Sequence, residues 1–375
     1  MIDYPLQKGL IQADVPVEIG HDTGHFWFPS LHRVGEETLV CAVIRSDDVA
    51  QGKWPADLFI SQDAGSSWRP DQSIDSYGHT SIRCDESSTL MMPYELWPLA
   101  PGDNKNCMAP GNMLTITSDG PLGVEPRDVQ FCDFPAPLTG YHGDELFLHH
   151  TGNLLRLPGG SLLTMLYGRF EGSEDLNTFA VGSDDGGFTW RYRGTVADGS
   201  AAPGAPEGPN EADVQLMDNG DLLCVYRVSD SWDFHKSYSQ DEGRTWSQPQ
   251  RMEGMRSVQP RLARLGNGAL VLTGGRPGLF AFLCADGKGE EWEKVNLALH
   301  HNQLIEPEEQ RFSDVFCKAE KKEDPAISTS YTAVMLLGDN SLIVTYDRLG
   351  NGWAGAPGPH GDVDRVFSVV LKVSV

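Results

Sequence analysis

No unbroken apolar run in this sequence approaches the roughly twenty residues needed to cross a bilayer as a helix, so no membrane span is expected. Positive charge is scarce: 29 Lys and Arg stand against 53 Asp and Glu, for a formal net charge of -24. A surface of that sign repels phosphate backbones and anionic lipids, which excludes nucleic acid and membranes as expected partners. Cysteine is sparse and unpatterned. Cys41, Cys84, Cys107, Cys132, Cys224, Cys284 and Cys317 show no C-x-x-C spacing, which argues against a zinc site and leaves an odd thiol under full pairing. Buried free thiols are the expectation, with no metal and no cofactor. Met1-Ile2-Asp3-Tyr4-Pro5 lacks a charged segment followed by an apolar one, so no secretory signal is read and the cytoplasm is slightly favoured.

What the chain does have is repetition. Ser61-Gln62-Asp63-Ala64-Gly65-Ser66-Ser67-Trp68, Ser183-Asp184-Asp185-Gly186-Gly187-Phe188-Thr189-Trp190 and Ser239-Gln240-Asp241-Glu242-Gly243-Arg244-Thr245-Trp246 all read S-x-D-x-G-x-[ST]-W. The pattern suits a tight hairpin turn, where the carboxylate accepts from nearby amides, glycine takes positive φ and tryptophan packs beneath. The segment from Cys284 through Asp286 and Gly289 to Trp292 reads as a degenerate fourth copy with one residue inserted. Each copy follows two short apolar runs, as in Val214-Gln215-Leu216 and Leu222-Leu223-Cys224-Val225-Tyr226-Arg227, which predicts an all-β protein. Counting repeats places six blades near 25–68, 75–135, 146–193, 208–248, 257–295 and 328–375. The connections 93–145 and 296–327 are expected to form a rim over a central cavity. The segment Val15-Pro16-Val17-Glu18-Ile19 is expected to add an outer strand to the last blade.

These turns, their distribution and the strand pattern resemble the sialidase superfamily, the Asp-box or BNR-repeat propellers, across nearly the whole chain. The resemblance implies a single six-bladed β-propeller over 1–375. It also implies a glycoside hydrolase acting on a terminal acidic sugar of a glycan, sialic acid or a related ulosonic or uronic acid. Function has still to be argued from the site.

Ser330-Tyr331-Thr332-Ala333-Val334 looks like the family's nucleophile strand, and Glu211-Ala212-Asp213-Val214-Gln215-Leu216 is similar to its glutamate strand. Tyr331 stands as far before its turn residue, Asn340, as Glu211 does before Gly220, which predicts equivalent places in two blades and a shared funnel. A free phenol has a pKa of about 10 and attacks poorly unless a neighbouring base removes its proton; Glu211 is the predicted base for Tyr331. A phenol also avoids the repulsion that a carboxylate nucleophile would meet beside a substrate's own carboxylate. Arg227, Arg276, Arg45, Arg169 and Arg348 recur near the end of a second strand, predicting several guanidinium groups at one end of the axis, with Arg227 and Arg276 foremost in gripping a carboxylate.

The chain also departs from the family. Phe26-Trp27-Phe28-Pro29 places Trp27 where the family's Phe-Arg-Ile-Pro-like strand has an arginine, so the usual grip is incomplete unless Arg45, Arg169 or Arg348 substitutes. The Trp27 indole is read as a surface for stacking on a sugar. Asp47 and Asp48 lie where the family places its acid/base aspartate, and Asp48 is favoured. His149-His150 enters the third blade; adjacent strand residues point to opposite faces, and His150 is the expected substrate contact. Two other functions stay open: a polysaccharide lyase acting beside a uronate through His149 or His150 with Tyr331, and a non-catalytic glycan-binding propeller.

Overall fold

The structure is a computed structural model that describes residues 1–49, 53–100, 102–117, 120–140, 148–230, 232–319, 327–350, 352–354 and 363–375. It is built mainly of strands and forms two compact units, one of Met1–Asp48, Trp54–Asp75 and Arg256–Val375, the other of Val49–Lys53 and Ser76–Met255. Among the described residues no helix is long and apolar enough to cross a membrane.

The first unit contains three sheets. Trp27–Val34, Thr38–Ile44, Ala56–Ser61 and Arg69–Ile74 pair in sequence order, as do Val258–Arg264, Leu270–Gly275, Leu279–Cys284 and Glu293–Asn296. Strands covered on both faces read as continuous apolar runs, and Thr38–Ile44 and Leu279–Cys284 are buried at every position. The outermost Arg69–Ile74 instead carries Arg69, Pro70 and Asp71, residues that blunt an exposed edge. In the third sheet Ala333–Gly338, Ser341–Arg348 and Asp364–Ser374 are joined by strands from the N-terminus: Leu10–Ala13 pairs with Asp364–Ser374 from Leu10 opposite Ser374, and Val17–Asp22 pairs with its other end. The N-terminal segment thus occupies both halves of that edge, more than the single outer strand expected. The stretch 296–327, expected as a rim loop, holds the helices Leu297–Leu304 and Asp314–Lys318. From this stretch Leu297, Ala298, Phe312, Phe316 and Cys317 are buried with Val271, Leu283, Val344 and Phe367.

The second unit holds a four-stranded sheet, Asn210–Leu216, Leu222–Arg227, Asp233–Ser239 and Gln250–Arg256, and a larger one. The regions 75–135 and 146–193 were expected as separate blades, yet they share this eleven-stranded sheet. Gln130–Cys132 run parallel to Thr189–Arg191, and Glu95–Pro98 pairs with both Cys107–Thr115 and Leu148–His150. These pairings close a ring of seven strands. The long strands Cys107–Thr115 and Gly123–Cys132 occupy much of 93–145, which was expected as a rim loop on its length.

The repeated turns have one internal design. Asp63 Oδ1 accepts from the Ser67 N–H at 2.9 Å, Oδ2 accepts from the Ser67 hydroxyl at 2.6 Å, and Ser61 Oγ accepts from the Gly65 N–H at 2.8 Å. Asp241 repeats this with Thr245, and Asp185 takes the Thr189 N–H. In the degenerate copy a thiol replaces the serine hydroxyl: Cys284 Sγ donates to Asp286 Oδ1 at 3.2 Å and accepts from the Gly289 N–H at 3.3 Å. The indole N–H groups of Trp190, Trp246 and Trp292 close back on the carbonyls of Gly187, Gly243 and Gly289. All seven cysteines are free; five are buried, whereas Cys84 is exposed and Cys132 partly so, against the expectation that all would be buried.

A second recurrent feature is a bulge near the start of three inner strands. Two residues oppose one between Trp27 and Ser30, Asn210 and Asp213, and Val258 and Arg261. The first bulged residue is left-handed each time: Phe28 at φ 48, Glu211 at φ 45 and Gln259 at φ 35. Bulges re-aim side chains where a sheet approaches a functional surface.

Candidate functional site

In the first unit the chain reaches Tyr331 through a tightly anchored segment. Asp347, on the strand Ser341–Arg348 and with no exposed surface, accepts from the Ser328 hydroxyl at 2.8 Å, the Thr329 N–H at 2.7 Å, the Phe28 N–H at 3.2 Å and the Thr329 hydroxyl. Burial holds the Asp347 carboxyl above its usual range, against the pull of these donors. One buried carboxylate therefore ties the bulge at Phe28 to the backbone just before Tyr331.

The Tyr331 ring is half-buried, with its plane at 83° to that of Phe28 and the centroids 4.8 Å apart. The Arg276 guanidinium lies 5.4 Å from the Tyr331 centroid and 4.9 Å from that of Trp353, and its Nη2 donates to the Thr329 carbonyl at 2.9 Å. Arg276 reaches this place from the hairpin joining Leu270–Gly275 to Leu279–Cys284, where its own φ is 60° and its N–H closes on the Gly278 carbonyl. Tyr331, Arg276, Trp353 and Phe28 thus make an aromatic surface with one cation across it.

Trp27 does not supply the sugar-facing indole expected of it. It is 1% exposed, its N–H is satisfied by the Ser46 carbonyl at 3.0 Å, and its ring packs between His25, Phe28 and Trp353. The more accessible indole is that of Trp353, in a glycine-bearing segment with no strand pattern to mark it. Arg45 does not substitute for the missing arginine: its guanidinium meets Asp22 at 2.6 Å and Asp57 at 3.6 Å, both on the unit's own strands. Arg348 is committed to backbone carbonyls, those of Arg311 at 2.8 Å, Glu309 at 3.1 Å and Leu349. Asp48 is exposed on the loop after Thr38–Ile44, while its neighbour Asp47 makes an ion-pair contact with Nε2 of His25.

In the second unit Arg227 is surrounded by acids. Its Nη1 meets Glu211 at 2.9 Å, and its Nη2 meets Glu207 at 2.9 Å and Asp230 at 3.5 Å. Glu211 itself is 6% exposed. Arg169 is half-buried on Leu162–Phe170, its backbone opposite Thr139. His150, the expected substrate contact, is fully buried with Nε2 on the Thr164 hydroxyl at 2.9 Å. The pleat turns His149 the other way, stacked on Tyr167 at 4.9 Å, beside Tyr94 at 4.9 Å and with Nε2 4.0 Å from Glu95. Among the described residues no group of three His, Cys, Asp or Glu could hold a metal ion.

No family profile and no curated protein matches the chain. Solved structures do. A Dyadobacter fermentans protein of unknown function superposes with a TM-score of 0.65 at 17% identity, over 97% of this chain and 99% of that one. A Trypanosoma rangeli sialidase in complex with 2,3-difluorosialic acid, a covalent intermediate, gives 0.58 at 14% over 96% of this chain, which spans 58% of that sialidase. A Penicillium chrysogenum α-L-arabinanase complexed with arabinobiose gives 0.54 at 12%, over 95% and 98%. The fold is that of the propeller glycosidases, and at these identities the likeness extends to fold alone.

Proposed function

We propose that this chain is a sialidase-like glycoside hydrolase that removes a terminal acidic sugar, sialic acid or a related ulosonic or uronic acid, from a glycan. In this reading residues 1–375 are a single six-bladed propeller domain, and the repeated turns are its Asp boxes. Tyr331 is the nucleophile, with Glu211 as its base. The observation that carries the reading is the placement of Arg276 across the Tyr331 ring, on a backbone pinned by Asp347. A guanidinium there favours an anionic oxygen, whether that of the attacking phenolate or of a substrate carboxylate. Arg276 takes the carboxylate, and Arg227 joins it once ligand displaces one of its exposed acids. Trp353 supplies the apolar face on which a sugar ring rests. Aryl glycosides of sialic acid and of related acidic sugars test this: wild-type protein releases the phenol and Tyr331→Phe does not, whereas unchanged turnover by Tyr331→Phe would end the mechanism.

A second reading is favoured by the cluster of His149, Tyr94, Tyr167 and Glu95, which has the groups for abstracting a proton beside a uronate carboxylate. Elimination would be seen as an unsaturated product absorbing in the near ultraviolet; a saturated sugar as the only product excludes it.

A further inference from the structure

The pairing of His25 with Asp47 has no counterpart among the residues read from the sequence. His25 immediately precedes Phe26-Trp27-Phe28, and its ring lies 4.5 Å from that of Trp27 at 31°. Its Nε2 meets Asp47 Oδ1, which stands on the loop after Thr38–Ile44. The two partners differ sharply in exposure: the imidazole side chain is 11% accessible, the carboxylate 71%. The other ring nitrogen, Nδ1, is buried and meets no hydrogen-bonding group among the described residues. From His25 the rings continue without a break, Trp27 to Phe28 at 4.9 Å and Phe28 to Tyr331 at 4.8 Å, with Trp353 against both Trp27 and Phe28.

Protonation follows from the partner. An ionised carboxylate only accepts, so the nitrogen facing Asp47 carries hydrogen, and in the neutral ring Nδ1 is then a lone-pair acceptor. Buried polar atoms are nearly always partnered, and one that is not calls for an explanation, of which a catalytic role is one. A base oriented by a carboxylate on its far nitrogen is the arrangement by which hydrolases hold an imidazole for proton transfer.

Resting on the hydrolase reading above, we propose that His25 is the acid/base of this site, held by Asp47, in place of a lone aspartate. As the bond between the anomeric carbon and the leaving oxygen breaks, its electron pair goes to that oxygen, which takes the proton from Nδ1 of the imidazolium; the anomeric carbon bonds to Oη of the Tyr331 phenolate, whose proton Glu211 has taken. In the second step neutral Nδ1 takes a proton from water. The water oxygen bonds to the anomeric carbon, and the Tyr331 C–O bond pair returns to the phenolate. Asp47 changes no protonation state; it is a positioning residue.

The test compares two glycosides of N-acetylneuraminic acid, 4-nitrophenyl and methyl, because nitrophenolate leaves without a proton and methoxide does not. His25→Gln is expected to lose about 10²–10⁴-fold in kcat/KM on the methyl glycoside and less than about tenfold on the nitrophenyl one. Asp47→Asn, altering an exposed side chain, should show the same asymmetry at smaller size. Equal losses on both substrates overturn the proposal. Long-range nitrogen NMR of the wild type decides the geometry without turnover. The His25 signal, assigned by its loss in His25→Gln, is expected as the Nε2–H tautomer and to mix tautomers in Asp47→Asn; an Nδ1–H tautomer overturns the proposal. Absence of turnover by the wild type on both glycosides counts against the sialic acid reading alone, and the nitrogen spectra still decide the dyad.

Discussion

Replacing Arg227 by methionine separates what this residue does for the fold from what it does for a ligand. Its side chain is 10% exposed and meets three carboxylates, but they are not equally dependent on it. Glu207 and Asp230 keep 27% and 32% of their side-chain surface and can turn to water; Glu211, at 8%, cannot. Stranding one member of a buried pair costs about 3–5 kcal/mol. With Glu211 alone closely dependent on the guanidinium, Arg227→Met is expected at the lower end, about 3 kcal/mol. Glu211→Gln retains an acceptor for the guanidinium and should cost about 1 kcal/mol. The double variant, with no uncompensated charge in the buried position, should be more stable than Arg227→Met alone by about 1–2 kcal/mol. Urea unfolding followed by tryptophan fluorescence measures all three. A loss below about 1 kcal/mol for Arg227→Met, or a double variant no better than that single one, would refute the assignment of Arg227 to a buried ion pair.

The two indoles of the site should part company: Trp353→Ala weakens ligand binding with little change in stability. Trp27→Ala costs about 3–5 kcal/mol because it empties a closed cavity; equal effects on stability would contradict the burial assigned to them. The turn aspartates should set the acid limit of the fold. The bond from the Ser67 hydroxyl, with those from the Ser67 N–H and Ser61, holds the Asp63 carboxyl below its usual range, and Asp185 and Asp241 are likewise lowered, their turn bonds outweighing burial. A depressed folded value gives stability that is present above the unfolded pKa of about 3.9 and lost as pH falls through the folded values. Asp63→Asn should therefore destabilise at neutral pH and flatten the acid side of a stability profile, and a parallel shift across all pH would speak against the linkage. Gly65→Ala should destabilise in the same melts, since φ is 87° there and a Cβ would stand 2.3 Å from Cδ1 of Ile343.

The turns were legible because their chemistry is local: the Asp63 contacts all fall within Ser61 to Ser67, so type and spacing carry the geometry. The Cys284 turn was legible for the same reason, a thiol standing where a hydroxyl stands elsewhere. The site was legible only in part. Tyr331 and Arg276 could be named from position along hairpins, but Asp347, Trp353 and His25 act through partners distant in sequence, and no spacing rule reaches from residue 347 to residue 28. The fates of Arg45 and Arg348 were hidden for the opposite reason. A guanidinium at the end of a strand looks the same in sequence whether a ligand, Asp22 or a backbone carbonyl receives it.

The count that equated Tyr331 with Glu211 agrees with the pairing of the strands. Five residues separate Leu216 from Leu222, which are partners, and five separate Leu336 from Leu342, so the register slip between Leu336 and Gly338 leaves the two hairpins equal in length. Glu211 stands two residues before Asp213, opposite Val225, and Tyr331 two before Ala333, opposite Thr345. The backbones differ at that place: Glu211 is itself left-handed at φ 45, whereas before Tyr331 the left-handed residue is Ser330, at φ 62. What a count cannot supply is the pinned segment Ser328–Ser330 and Asp347 beneath it, which hold the backbone that carries Tyr331. An amide at residue 347, in Asp347→Asn, turns an NH2 toward donors and should cost about 1–3 kcal/mol of unfolding free energy, with the tyrosine's activity lost under conditions where the variant is still fully folded; full activity there would leave Asp347 without the role its four donors assign it.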